Sequence, residues 1–108
     1  MKKYSVLYCK SGFSMSVQAG KHHYCEPRSD HGPYTAVEVG GPSCSEPLLM
    51  QYAEDPDAPT KTVYGWVPVG LVQALIIKHG GIEEGEHPVF DIDAEQSFEM
   101  AKAIISEN

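Results

Sequence analysis

Phe13-Ser14-Met15-Ser16-Val17-Gln18-Ala19 alternates apolar and polar residues without a break. Successive side chains of a strand point to opposite faces, so this segment gathers its apolar residues on one side only as β-structure. It commits the chain to a sheet with one covered face. Tyr4 to Cys9, just before it, is short, aromatic and β-branched enough to be a strand as well. Lys10-Ser11-Gly12 lies between the two, and a three-residue link containing Gly predicts a β-hairpin from about residue 3 to residue 19.

Beyond the hairpin the pattern breaks. Gly20, Pro27, Gly32 and Pro33 punctuate a polar loop, long by the usual connection lengths. Tyr34 to Val39 reads as a third strand, closed by Gly40-Gly41-Pro42. Ser45-Glu46-Pro47 has the form of a helix start, with Pro where a missing N–H costs least. A short helix over about 47–54 follows, with Leu48, Leu49 and Tyr52 as its apolar contacts, ended by Asp55-Pro56-Asp57-Ala58-Pro59. Thr62 to Val67 is a fourth strand, with Val63 and Val67 expected on one face and Tyr64 and Trp66 on the other.

Pro68 opens a helix to about His79, on which Leu71, Val72, Leu75 and Ile76 make an apolar stripe. Gly80-Gly81 stops it. Val89 to Ile92 is expected as a fifth strand. Asp93 and Gln96 resemble a capping box for a last helix presenting Phe98, Ala101 and Ile105. The order β-β-β-α-β-α-β-α predicts one α+β domain over 1–108, with a mixed or antiparallel sheet of about five strands covered by two or three helices.

A chain of 108 residues with 42% hydrophobic content suits one domain. Eight Lys and Arg against fifteen Asp and Glu give a net charge of -7. That balance argues against a general nucleic-acid binder, which needs a basic footprint. The charge is uneven. Residues 1–40 carry five basic against three acidic residues, while residues 41–108 carry three against twelve. No apolar run is long enough to span a membrane, and Met1-Lys2-Lys3-Tyr4-Ser5 leads into no apolar signal core. A cytoplasmic protein with free thiols at Cys9, Cys25 and Cys44 is therefore the expectation.

Candidate chemistry concentrates in the 20–34 loop. His22, His23, Cys25 and His31 are zinc-ligand types, yet no CxxC knuckle is present, and adjacent His22 and His23 would diverge if extended. A small zinc protein thus ranks below the other readings. Cys25 near histidines has the elements of an activated thiol, but no nucleophile signature surrounds it. Phosphate loops, GxSxG, HExxH and EF-hand loops are all missing from the sequence. A binding pocket remains. Its expected residues are Ser14, Ser16 and Gln18 on one strand face, Lys21, His22, His23, Tyr24 and Arg28 in the loop, and Tyr34, Tyr64 and Trp66 as stacking surfaces. Arg offers a planar fork to phosphate or carboxylate, and aromatic rings hold a flat ligand.

Met15-Ser16-Val17-Gln18-Ala19, Tyr24-Cys25-Glu26-Pro27-Arg28 and Gly32 to Gly40, with Thr62 to Pro68 and His79-Gly80-Gly81-Ile82, resemble small proteins of bacteria and their phages to which no activity is attached. The resemblance covers about residues 13–82. It implies an accessory protein, with inhibitors of bacterial immunity among the options, and carries over no catalytic residue. The leading expectation is a non-enzymatic intracellular protein that sequesters a small anionic, nucleotide-like ligand at the 20–34 loop, with no cofactor. The alternative is an inhibitor that meets a basic protein partner through the acidic half. Neither direct nucleic-acid nor membrane contact is expected, and homo-oligomerisation is left open because a small domain buries a limited core.

Overall fold

The structure is a computed structural model, and it describes residues 2–91. Five strands form one sheet: β1 (Leu7–Cys9), β2 (Ser14–Gln18), β3 (Ala36–Gly40), β4 (Val63–Pro68) and β5 (Ile82–Glu84). Their spatial order is β4-β3-β2-β1-β5, and every neighbouring pair is antiparallel. The expected hairpin is present, with Leu7 opposite Met15. Gly12 takes φ +98, a conformation that disfavours a side chain, and donates to the Cys9 carbonyl at 2.9 Å.

The alternation in β2 becomes burial as expected. Phe13, Met15, Val17 and Ala19 are at most 4% exposed, while Ser14 and Ser16 face outward and are half-buried. Leu7, Cys9, Val37 and Val39 join them on the inner face. A helix, α1 (Val69–Lys78), links β4 to β5, which lie at opposite edges of the sheet. Its ten residues extend about 15 Å, against about 19 Å for four strand spacings. The helix therefore has to run across the sheet, and Gly80-Gly81 supply the remaining reach. It buries Val69, Gly70, Leu71, Val72, Ala74, Leu75 and Ile76, the predicted stripe and more. Gly81 N–H donates to the Ile76 carbonyl at 2.8 Å and Gly80 N–H to that of Ile77, both glycines having positive φ.

Three expectations are corrected. The short helix is a 3-10 helix, Pro47–Tyr52, in which Glu46 caps the Leu48 N–H and only Leu49 is buried. The fifth strand is Ile82–Glu84, and the segment expected in that role, 89–92, is described only as far as Asp91. Among its described residues, Phe90 forms an isolated parallel bridge with Tyr34 and packs against the core. The faces of β4 are the third correction. Val37 pairs with Val67 and Val39 with Tyr64, so β4 carries an extra residue in a bulge. Tyr64 and Val67 both turn inward and are fully buried, while Trp66 turns outward with φ +51. The helix expected over 93–105 lies outside the described residues. The architecture is a small α+β domain with a five-stranded antiparallel sheet and few helices.

Candidate functional site

The 20–34 loop folds back over the outer face of β3 and β4. Glu38 points outward between buried Val37 and Val39 and anchors the loop. Its carboxylate lies 2.8 Å from His23 Nδ1 and accepts the Tyr24 N–H at 3.2 Å. Glu26 pairs with Ala36, and the Trp66 N–H donates to the Tyr24 carbonyl at 3.0 Å. Below the loop, buried Cys25 donates its thiol to the Gly20 carbonyl at 3.2 Å. Cys25 is a pin for the loop, in keeping with its burial.

These contacts bring Tyr24 against Trp66. Their ring centroids are 4.8 Å apart with planes inclined by 27°. Gly65 makes the approach possible, because a Cβ there would meet Tyr24 Cβ at 3.3 Å. The Arg28 guanidinium carbon lies 5.9 Å from the centre of the Tyr24 ring, within cation–π range. Trp66 is 51% exposed and Tyr24 38%.

Ala53 pairs with Tyr64 along the free side of β4, which turns Tyr52 and Glu54 to the same outer side as Gly65. A concavity of about 330 Å³ results, lined by Tyr24, Tyr52, Glu54, Gly65 and Trp66. Gly65 supplies an open floor without a side chain. The Tyr24–Trp66 pair is closed on itself at 4.8 Å, which leaves no room for a flat group between the two rings.

Of the expected site residues, the structure unites Tyr24, Trp66 and Arg28. The others have structural occupations or stand apart. Tyr64 is in the core, and its hydroxyl donates to the Pro59 carbonyl at 2.6 Å. Tyr34 is 2% exposed and donates to the Ser29 carbonyl. Burial raises the phenol pKa of both. Gln18 clasps the backbone of Tyr4, accepting its N–H at 2.9 Å and donating to its carbonyl and to Ser16 Oγ. The Ser14 N–H donates to Ser43 Oγ, at the opposite end of β2 from Gln18, which pairs with the loop's anchor Glu38.

The local positive balance is also largely neutralised. Asp30 accepts the Lys21 N–H at 3.0 Å and lies 4.0 Å from its ammonium. That backbone hydrogen bond, with the Lys21 charge behind it, lowers the Asp30 pKa. His23 faces Glu38, and His22 is exposed. Arg28 has no carboxylate partner among the described residues. Also among the described residues, no three His, Cys, Asp or Glu side chains converge on a point that would hold a metal ion. No described helix is long and apolar enough to cross a membrane.

Tyr52, Glu54 and Gly65 complete the lining although nothing in the 20–34 loop points to them. Their signal is the two-residue period of Tyr52-Ala53-Glu54, hidden because the pairing partner lies eleven residues on. Comparison with family models, curated proteins and solved structures returned no match for the chain.

Proposed function

We propose that this is a non-enzymatic binding protein that holds a small anionic ligand of nucleotide type on the Tyr24–Trp66 face, with its flat part in the cleft and its anionic part at Arg28. The observation that carries the reading is Trp66. A bulky residue at positive φ costs about 1–3 kcal/mol, and Trp66 has φ +51. Half of its surface nevertheless stays in water, although the Tyr24 stack covers the rest. A strained, exposed aromatic on the rim of a concavity fits a ligand contact. Arg28 adds five donors in a planar fork on the same ring system.

Trp66 is the only tryptophan in the chain, so its fluorescence reports on the cleft directly. Titration with nucleoside monophosphates is expected to change that fluorescence saturably. Arg28→Ala should weaken binding by about 1.5–3 kcal/mol, the range for a hydrogen bond to a charged group. Unchanged affinity in that variant removes Arg28 from the site.

A second reading is favoured by β5. All three of its residues are exposed, and Glu83 and Glu84 place two acidic side chains on this edge of the sheet. An inhibitor docking a basic protein there would associate more slowly as salt rises. Association that is insensitive to ionic strength excludes it.

A further inference from the structure

Resting on the nucleotide reading above, we infer that Glu54 makes the cleft selective for a base edge with two adjacent N–H donors, the guanine type. Glu54 is held by its backbone, its N–H donating to the Val63 carbonyl at 2.9 Å across the Ala53–Tyr64 pairing. Its side chain is exposed and lines the cleft with Tyr24, Tyr52, Gly65 and Trp66. Among the described residues no side chain forms an ion pair with its carboxylate. Glu38 and Glu46, by contrast, are both engaged in the fold.

An ionised carboxylate only accepts hydrogen bonds, through two oxygens side by side. Guanine presents N1–H and an exocyclic amine next to each other and matches both oxygens. Adenine presents one amine beside a ring-nitrogen lone pair, and uracil one N–H between two carbonyls. Either would set a lone pair against the carboxylate. The aromatic walls accept any flat base, because every base has a π-face. The choice among bases therefore falls to the one charged group in the lining. Repulsion between Glu54 and a phosphate orients the ligand, with base toward Glu54 and phosphate toward Arg28.

The test is a set of Trp66 fluorescence titrations with GMP, IMP, AMP and UMP, on the native chain and on Glu54→Gln. GMP is expected to bind about tenfold tighter than AMP, the scale of one good bidentate contact. IMP, which lacks the exocyclic amine, should fall between them. Glu54→Gln should bring GMP and AMP within about threefold, weakening GMP and modestly strengthening AMP, because the amide removes the lone-pair clash with adenine. Equal affinities for GMP and AMP in the native chain, or a preference that survives Glu54→Gln, overturns the inference and leaves the nucleotide reading standing. Absence of any response to all four nucleotides overturns both. Saturable quenching by choline without any by GMP also overturns both and assigns the cleft to an organic cation.

Discussion

Glu46 and His79, thirty-three residues apart, meet beneath the end of α1, with Glu46 Oε2 3.1 Å from His79 Nε2. Glu46 is 3% exposed. It also accepts from the Lys78 ammonium at 3.2 and 3.4 Å and from the Leu48 N–H at 3.3 Å. His79 stacks on Phe13 at 4.2 Å and places Nδ1 3.1 Å from Ser11 Oγ. One buried carboxylate thus ties together the hairpin turn, the 3-10 helix and the C-terminus of α1.

This cluster makes stability depend on acid. Burial alone would raise the Glu46 pKa. Hydrogen bonds from His79, Leu48 and Lys78 outweigh it and hold the carboxyl below its ordinary value of 4.5. A depressed folded-state pKa stabilises the fold above the unfolded value, and that contribution is lost as pH falls through the lower folded value. Glu46→Gln should cost about 1.5–3 kcal/mol at neutral pH. The gap from the native chain should narrow below about pH 4.5. Urea unfolding across pH 3 to 7 measures it, and a gap independent of pH contradicts the cluster's role.

The strict alternation of β2 sets a contrast between adjacent residues. Met15 is fully buried opposite Leu7, so Met15→Ala should cost about 2–5 kcal/mol. Ser14 faces outward, and Ser14→Ala should change stability by less than about 0.5 kcal/mol. Chemical denaturation of both variants tests the register, because a one-residue slip would exchange the two results.

Glu38 positions the aromatic platform without lining the cleft. Glu38→Ala should release the Tyr24 backbone and weaken ligand binding several-fold, with the fold retained. Glu38→Gln, which keeps an acceptor for the Tyr24 N–H, should recover part of the loss. Affinity measured beside thermal unfolding separates this from general destabilisation. Equal loss in both variants contradicts the positioning role.

The sequence carried the hairpin, the buried row of β2, α1 with its glycine stop and the loop that builds the site. Each of these is written in local residues: a period of two, a helical stripe, or glycine and proline punctuation. Long-range pairing is not. The bulge in β4 is fixed by Val37–Val67 and Val39–Tyr64, and it sends Tyr64 to the core and Trp66 outward, against simple alternation. Ile82–Glu84 becomes a strand because Tyr8 and Cys9 pair with it, although its own side chains are exposed. Nearness along the loop and residue type group Lys21 and His23 with Arg28. Only the folded chain places Asp30 and Glu38 beside them.

The most direct test of the binding site is calorimetric titration of one nucleotide, GMP, into the native chain and into Trp66→Gly. Glycine accepts the positive φ of this position, so relief of strain and loss of the Tyr24 stack should nearly cancel, changing stability by no more than about 1 kcal/mol. The account predicts measurable binding to the native protein and none to the variant, with both equally folded. Equal affinity for the two proteins would contradict it.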